Sequence, residues 1–362
     1  MAMNASSWIP NWFDLEVDEL ERQISNWCNL NAREKWVVVF NLNDLKKFLH
    51  KNKLNRNTDG RHHFCSTHNL VISWNEMEEN CEVLSEKRQL NGVGRSTSVF
   101  RINEQYERIL CVKVEINSDG HRELWIEVLS MLGNRLCHEK RAYKKLDAET
   151  IIDRIIDFTV LYSNISIILV GISSIVDNGV IRLSDIPELE NVPLESMIKE
   201  KINIPIYLAY DCQYRVYGAY KKYKYEKETL TLFYCMKNVL PGTASVSCGK
   251  ILKGKNGFAG MTGYIPYGMS FDDQIKLIAG GKGSHVISHA ISSTIAVLNP
   301  DEIIFAGNVI DNKMMEDIFK ECIGHFPDEF MPKFRLIDDE VDSFYLEGMY
   351  QLAIELKNTI EI

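Results

Sequence analysis

The sequence has no run of 18 apolar residues, so it contains no candidate transmembrane helix. Its first 20 residues also lack the basic segment with which a secretory signal begins, and they carry Asp14, Glu16, Asp18 and Glu19 instead. We therefore expect a cytoplasmic protein that has no membrane partner.

Paired cysteine motifs are missing as well. The nine cysteines are scattered along the chain, and no two of them form a CxC or CxxC pair. Such spacing is typical of buried, reduced thiols in a cytosolic protein, and it argues against a disulfide framework or a zinc knuckle.

The chain as a whole has no excess of positive charge. Its 41 Lys and Arg residues are outnumbered by 50 Asp and Glu residues, which gives a net charge of −9. Any surface that binds nucleic acid must therefore be local. A length of 362 residues, 45% of them hydrophobic and 25% charged, indicates a globular protein of two or three domains. This composition excludes disordered, collagen-like and coiled-coil chains.

Charge is distributed unevenly near the N-terminus. Residues 1–32 hold five acidic residues and one basic residue, whereas residues 33–61 hold eight basic and three acidic residues. The second segment is the only dense basic stretch before residue 220, and it is the natural place for contacts with an anionic partner.

Three short helical patterns and two strand patterns follow one another over residues 15–102. The helical patterns lie near 15–24, 43–49 and 66–79, and the strand patterns lie at 81–84 and 98–102. Three helices followed by a hairpin predict a winged helix-turn-helix that binds DNA. The alternative is a generic small α+β domain with a solvated basic face.

A winged helix-turn-helix places its third helix in the major groove of DNA. The candidates for contacts with base edges are then Thr67, His68 and Asn69, while Arg95 in the wing would reach an adjacent groove or phosphate. Phosphate contacts would come from the basic side chains of Arg33, Lys35, Lys46, Lys47, Lys51 and Lys53.

From about residue 108 the pattern changes to alternating strands and helices. Strand patterns cover 109–116, 124–131, 166–171, 205–209 and 302–306, and helical patterns cover 149–162 and 273–297. The segment 166–171 is rich in β-branched residues, as the buried strands of a mostly parallel sheet are. The alternation predicts an α/β fold that binds ligands at the carboxyl ends of its strands.

Six segments of the chain carry motifs in a fixed order. They are NGVGRSTSVFRIN, LVGISSIVDNGVIRLSDIPELENVPL, IPIYLAYDCQYRVYGAY, KGKNGFAGMTGYIPYG, IAVLNPDEIIFAGNVI and YLEGMYQLAIE. Together they resemble the ROK family (repressors, open reading frames, kinases) over roughly residues 90–362. The third segment resembles the family motif P-V-x-x-x-N-D-A-N-x-A-A-x-x-E, and the fourth resembles G-x-x-G-x-A-G-E-x-G-H.

The resemblance implies a body of two ribonuclease-H-like lobes, as in sugar kinases, with a cleft between them. We therefore predict a winged helix-turn-helix head at 1–102, a small lobe at 103–212, a large lobe at 213–340, and a C-terminal helix at 341–362 that packs back on the small lobe. ROK relatives pair through the large lobe, which implies a homodimer formed by residues of roughly 230–330.

Both phosphate-binding turns of the kinases are altered in this sequence. Active members cradle the ATP phosphates with backbone amides of a glycine-rich D-x-G-G-T turn, whereas residues 114–120 read VEINSDG. The added acidic residue would repel phosphate. The second turn, at 240–249, reads LPGTASVSCG and is also poor in glycine. We therefore expect no nucleotide cofactor.

The sugar-binding and zinc-binding residues of the family are replaced too. Met261 and Tyr264 stand where the fourth motif has Glu and His, which hold sugar hydroxyls in the family, and that His is also a zinc ligand. The family's cysteine-rich motif C-x-C-G-x-x-G-C is absent, and residues 254–283 contain neither Cys nor His. We therefore expect no zinc site.

The family's catalytic Asn-Asp pair reads Tyr210-Asp211 here. Asp211 is a vestigial candidate for the base that deprotonates a sugar hydroxyl, but it could also cap the following helix or accept a hydrogen bond from a small ligand. Asn191 matches the family's sugar-side Asn, or is an ordinary loop residue. Tyr210 and Tyr264 would either stack on a sugar or plug the cleft. The candidate ligand-binding residues are Asn191, Tyr210, Asp211, Met261 and Tyr264.

Three functions are compatible with these features of the sequence. We favour a transcriptional regulator of the ROK type, not an enzyme, whose body senses a sugar or sugar phosphate or has lost ligand binding. The second is an ATP-dependent sugar kinase, and the third is a ligand-free scaffold whose body serves only for dimerisation. The departures from D-x-G-G-T and E-x-G-H weigh against the kinase.

Overall fold

A computed structural model describes residues 81, 83–88, 97–117, 119–237, 239–337 and 341–360. The chain divides into two compact units between Tyr106 and Glu107. The three predicted helices of the head lie outside the described residues, so the winged helix-turn-helix stays a prediction. None of the described helices is long and apolar enough to cross a membrane.

The N-terminal unit contains an antiparallel hairpin of β1 (Val83–Arg88) and β2 (Thr97–Ile102). Val83 pairs with Ile102 at the open end of the hairpin, and Arg88 pairs with Thr97 next to the connection. Both strands were predicted from the sequence, although β1 starts two residues later than its pattern indicated.

The first sheet of the C-terminal unit has the strand order β5-β4-β3-β6-β9. Its strands are β3 (Arg108–Ile116), β4 (Arg122–Ser130), β5 (Arg135–Tyr143), β6 (Ile165–Ile172) and β9 (Ile206–Tyr210). The β3–β6 and β6–β9 pairs are parallel, and the other two pairs are antiparallel. A small hairpin, β7 (Ile175–Asp177) and β8 (Val180–Arg182), follows β6.

Two helices, α1 (Ala148–Leu161) and α2 (Leu194–Lys201), contribute to the core of this first sheet. In α1 the apolar side chains of Ile151, Ile152 and Ile155 recur at helical spacing and are fully buried. The helix begins after Asp147, whose carboxylate accepts the Thr150 N–H at 2.9 Å.

The second sheet has the order β12-β11-β10-β13-β14. Its strands are β10 (Thr229–Tyr234), β11 (Gly242–Ser247), β12 (Lys250–Ile251), β13 (Glu302–Ala306) and β14 (Lys333–Leu336). Three helices pack in a core with β10 and β13: α4 (Phe271–Ala279), α5 (Ser284–Leu298) and α6 (Asn312–Ile323). The single helical stretch predicted at 273–297 is divided into α4 and α5 around Gly281, whose φ of 69° breaks the helix.

Two further helices, α3 (Asp211–Lys222) and α7 (Val341–Ile360), pack tightly on each other and contact both sheets. They approach each other at Gly218 and Gly348. A Cβ atom on Gly218 would lie 1.9 Å from the Phe344 carbonyl oxygen, and one on Gly348 would lie 1.9 Å from the Tyr214 carbonyl oxygen. The absence of side chains at these two positions therefore sets the distance between the helices.

We expect Gly218→Ala to destabilise the protein by about 1–3 kcal/mol, because the added methyl group overlaps backbone that is held by a second packed helix. Gly324→Ala is the matched control, since Gly324 has a φ of −71° and its nearest neighbouring atom would be 3.7 Å from a Cβ. Urea unfolding measures both variants. Equal free energies of unfolding would contradict the close approach of the two helices.

Candidate functional site

Asp211 lies where the parallel strand β9 ends and helix α3 begins. Its Oδ1 accepts the Cys212 N–H at 2.7 Å, a contact within the first turn of the helix. Its Oδ2 accepts the Ser173 hydroxyl at 3.2 Å and the Arg215 guanidinium at 2.5 Å. The residue is only 2% exposed, so both carboxylate oxygens are used inside the protein.

Arg215 lies one helical turn after Asp211 and is the largest fully buried side chain of the described residues. Its second nitrogen, Nη2, forms an ion pair with Oε1 of Glu115 on β3. The guanidinium carbon also lies 4.5 Å from the ring centre of Tyr234 and 4.2 Å from that of Tyr345. One cation thus joins two carboxylates between two aromatic faces.

The electrostatics of Arg215 favour its charged form. Burial alone would lower its pKa, but the neighbouring oxygens of Tyr234, Glu115 and Asp211 raise the pKa well above its usual value. This residue was not predicted from the sequence. The signal was present in the third segment, because Arg215 stands where the family motif N-D-A-N-x-A-A has its second Ala.

The segment that corresponds to the first phosphate turn is a tight connection between β3 and β4. The Asn117 side chain accepts the N–H groups of Asp119 and His121 at 3.0 and 2.9 Å, and the Asn117 carbonyl accepts the Gly120 N–H at 3.0 Å. Because these three amides donate inside the turn, they do not form the open cradle that a nucleotide phosphate needs. The residues present do not fit an ATP phosphate at this position.

The stretch that corresponds to the second phosphate turn consists mostly of β11. Tyr210 lies in the core beside it and is 8% exposed. Its hydroxyl oxygen is 1.8 Å from the place where Gly242 would carry a Cβ, so the phenol fills the space that this glycine leaves. Met261 is half-buried and packs against the same core.

Tyr264 and Asn191 lie nearer the surface. Tyr264 is 38% exposed, and its ring makes edge contacts with Phe258 and Phe271, at centroid distances of 5.4 and 4.9 Å. Asn191 is exposed, and its side-chain oxygen accepts a hydrogen bond from Arg182. Tyr210, Asp211 and Met261 thus lie in the interior. Asn191 instead forms a hydrogen bond with Arg182, which was not among the predicted site residues.

Asp185, which sequence analysis did not single out, lies close enough to the buried cluster to interact with it electrostatically. Its side chain reaches solvent and has no hydrogen-bond or ion-pair partner among the described residues. Crowding by protein atoms and the charge of Asp211 raise the pKa of Asp185 to about 7. The same carboxyl contributes to the raised pKa values of Tyr210 and Tyr264. Burial is the largest cause of the shift for both tyrosines.

The predicted DNA-binding residues lie outside the described residues: Arg33, Lys35, Lys46, Lys47, Lys51, Lys53, Thr67, His68, Asn69 and Arg95. Within the part of the chain that the structure describes, no three His, Cys, Asp or Glu side chains are grouped so that they could hold a metal ion.

Replacing Arg215 with Met should destabilise the protein by about 3–5 kcal/mol at neutral pH, because it leaves the buried carboxylate of Asp211 and the partly buried one of Glu115 without a cation. Urea unfolding measures this loss. The triple variant Glu115→Gln/Asp211→Asn/Arg215→Met should be more stable than the single variant, since it removes the uncompensated charges.

The matched control for this experiment is Arg122→Met. Arg122 pairs with Glu188 at 3.1 Å, but both side chains are about one fifth exposed, and such pairs contribute about 1 kcal/mol or less. If Arg215→Met were as stable as this control, the buried cluster would not be an energetic centre of the fold.

Asp185→Asn should stabilise the protein more at pH 8 than at pH 5. Folding raises the pKa of this carboxyl from 3.8 to about 7, so ionising it costs the folded state free energy. The cost is absent below about pH 4, grows between pH 4 and 7, and is complete above pH 7. Thermal unfolding at the two pH values measures the difference, with the exposed Asp328→Asn as control. A gain that is larger at pH 5 would contradict the raised pKa.

Comparison with known proteins adds independent findings. A model of the ROK family matches residues 133–283. No curated protein matches the sequence. The solved structures similar to this one include a ROK family transcriptional regulator described as a homolog of the E. coli MLC protein. It has a TM-score of 0.56 and 14% identity, and the match covers 79% of this chain and 91% of that chain.

Solved structures of sugar kinases are also similar to this structure. A ROK hexokinase from Thermus thermophilus has a TM-score of 0.53 and 13% identity, and the match covers 68% of this chain and 99% of that chain. A ROK family protein from Streptococcus pneumoniae, solved in complex with sucrose, has a TM-score of 0.53 and 11% identity, with 69% and 99% of the two chains covered. Residues 133–283 therefore resemble the ROK family, and the body has a mixed α/β, sugar-kinase-like fold.

Proposed function

We propose that this chain is a DNA-binding transcriptional regulator of the ROK type and that its body does not transfer phosphate. The observation that carries the proposal is the buried cluster in which Arg215 joins Asp211 and Glu115. Asp211, the one acidic residue retained from the family's catalytic pair, is thus buried and paired with Arg215.

A general base must offer a free oxygen within hydrogen-bond reach of the proton that it removes. Both oxygens of Asp211 already accept hydrogen bonds, from Cys212 on one side and from Ser173 and Arg215 on the other. Deprotonating a sugar hydroxyl would require breaking an ion pair between two buried groups, which costs several kcal/mol. Asp211 is therefore proposed as a structural residue.

The nucleotide side of the cleft supports the same proposal. Amides at 119–121 donate to Asn117, and Tyr210 fills the space beside Gly242. Loss of a preorganised donor group commonly lowers a turnover rate by factors of about 10²–10³. Both phosphate turns are altered, and both oxygens of Asp211 already accept hydrogen bonds within the protein. We therefore expect no measurable phosphoryl transfer.

The assignment to DNA binding is supported by the N-terminal part of the sequence. The basic stretch at 33–61 and the hairpin at 83–102 occur in the order expected of a winged helix-turn-helix head at 1–102. The regulator of known structure matches 79% of this chain, which is more than the body at 107–362 can provide alone. The hexokinase match of 68% fits within the body. The regulator is therefore the better guide to the whole chain.

In this proposal the protein acts in the cytoplasm as a homodimer. Heads of this kind read two half-sites, so a two-fold symmetric pair of chains is needed, and we place its interface in roughly 230–330. The body would sense a sugar or a sugar phosphate. The solvent-open carboxyl of Asp185 and the exposed ring of Tyr264 are available for this purpose.

The full-length protein should retard genomic DNA fragments in a gel-shift assay, with an affinity that falls as salt is added. Lys46→Glu/Lys47→Glu should weaken binding and reduce the salt dependence by about one unit of slope for each phosphate that is no longer neutralised. Lys282→Glu/Lys313→Glu is the control, since it makes the same charge change at exposed positions of the body.

Two outcomes would contradict the proposal. One is the absence of DNA binding even at low salt. The other is sugar-dependent ADP release that Asp211→Asn abolishes, because this would assign catalysis to the committed carboxylate and support the kinase.

A further inference from the structure

The two five-stranded sheets have four edge strands between them, and the outer backbone groups of an edge strand face no other strand of its sheet. Three of these strands offer little room for a further chain, because β9 is mostly buried, β12 has two residues and β14 has four. Strand β5 has nine residues, compared with about five or six in a typical strand, and six of its side chains are exposed. Within the described part of the chain, it is therefore the longest open edge of the two sheets.

The backbone of β5 is suited to pairing with an added strand. Alternate residues of an edge strand turn their N–H and C=O groups away from the sheet, and proline would remove such a donor. Strand β5 contains no proline. The register shifts between Val128 and Leu129 of β4, but residues 137–143 pair with 122–128 in unbroken register. Seven consecutive residues of β5 therefore form a regular template for a further strand.

The side chains of β5 and of the two residues after it are mainly basic. Residues 135–145 hold five basic residues, one histidine and one acidic residue. The basic residues and the histidine are all exposed: Arg135, His138, Lys140, Arg141, Lys144 and Lys145. A second copy of β5 is a poor partner for this edge, because like charges opposite each other on neighbouring strands repel. The same charges attract a strand that carries carboxylates.

Two of these cations form ion pairs within the sheet. Arg135 lies 2.6 Å from a carboxylate oxygen of Glu127, and Lys140 lies 2.9 Å from one of Glu123. The side chains of the two cations are 52% and 41% exposed, whereas those of the two carboxylates are 1% and 12% exposed. A partner that approaches β5 therefore meets the positive side of both ion pairs.

The only carboxylate on β5 belongs to Glu139, on the opposite face of the strand from Lys140. It pairs with Arg141 at 2.9 Å and with Arg154 of α1 at 2.6 Å. Because two guanidinium groups engage this one carboxylate, it repels an approaching acidic strand only weakly.

Apolar surface lies between these charges. The half-buried Trp125 ring lies 4.1 Å from the Lys140 ammonium and makes an edge contact with the His138 ring at a centroid distance of 5.6 Å. Leu136 is 42% exposed near the start of the strand. Contacts with nucleic-acid phosphates do not use such groups, whereas the side chains of an extended peptide pack on them. The combination favours a polypeptide partner over a nucleic acid.

We propose that the outer edge of β5 binds an extended acidic segment of a partner protein, which adds a strand to the first sheet. Main-chain hydrogen bonds with β5 supply affinity, and carboxylates at alternate positions of the partner meet the basic side chains of the edge. DNA would satisfy the charges but not the row of backbone donors and acceptors. The proposal does not depend on the proposed regulatory function.

The test is fluorescence anisotropy on the full-length protein with a labelled eight-residue peptide in which Glu alternates with Val. This peptide should bind, with an affinity that falls as salt is added. The same peptide with Lys in place of Glu should not bind. A third peptide keeps the Glu residues but carries N-methyl groups on its two central amides. It should bind more weakly by a factor of about ten or more, because neither of its edges has a full row of donors.

Two double variants locate the site. Arg141→Gln/Lys144→Gln removes two exposed cations from the edge and should weaken binding of the Glu peptide about tenfold. Lys282→Gln/Lys313→Gln makes the same charge change at exposed positions outside the first sheet and should leave the affinity unchanged. Both variants should unfold at nearly the temperature of the parent, because exposed ion pairs contribute little to stability.

Several results would overturn the proposal. The Glu peptide could fail to bind even at low salt, or the N-methylated peptide could bind equally well, which would mean charge attraction without strand pairing. Full affinity in Arg141→Gln/Lys144→Gln would place the peptide elsewhere. Weaker DNA binding in this variant, with no peptide binding to the parent, would assign the edge to nucleic acid. Failure of DNA binding with intact peptide binding would instead overturn the proposed function and leave this inference standing.

Discussion

The ion pairs of Arg215 with Asp211 and Glu115 are the interaction on which the centre of the body depends. Arg215 is 1% exposed, and a cation in such a place is tolerated only when it has partners of opposite charge and hydrogen bonds. One partner is supplied by the start of its own helix and the other by strand β3, a hundred residues earlier in the chain. The cluster therefore fixes α3 against the first sheet, and the position of α3 determines where Tyr210 and Asp211 lie.

Helix α7 completes the surroundings of this cluster from the far end of the sequence. Tyr345 covers the Arg215 guanidinium at 4.2 Å and lies 5.3 Å from the ammonium of Lys113, which is itself paired with Glu127 at 3.1 Å. The ring fits because Gly171 has no side chain, since a Cβ there would lie 2.1 Å from the Tyr345 hydroxyl. Two buried ion pairs thus share one aromatic ring, and the close approach of α3 and α7 at Gly218 and Gly348 holds that ring in place.

Much of the fold could be predicted from the sequence, wherever a strand or helix gives a clear pattern of apolar residues. The strand predicted at 302–306 agrees with β13, and the one predicted at 166–171 lies within β6, because both have continuous apolar runs in buried strands. Strand β5 was missed. Its side chains are mostly exposed, so it shows neither alternation nor an apolar run.

Helix α3 shows why the site itself was harder to predict. All ten residues from Asp211 to Tyr220 are buried, including Gln213 and Arg215, so the helix has no polar face for a periodicity analysis to detect. The motif located Asp211 correctly at the end of a strand. The partners of that carboxylate could not be inferred, because Glu115 and Arg215 are brought together by the parallel pairing of β3 with β6 and of β6 with β9, and not by proximity in sequence.

In the proposed function, a fold shared with sugar kinases is used without phosphoryl transfer. A kinase must keep its acidic groups open to substrate, and such groups destabilise the folded state when they are buried without partners. Here Asp211 and Glu115 are neutralised internally by Arg215, so the fold no longer bears that cost. A sensor needs only a difference in ligand affinity between two states, which hydrogen-bonding groups can supply without any reactive residue. Selection for sensing would thus tolerate an acidic pair that is closed by Arg215.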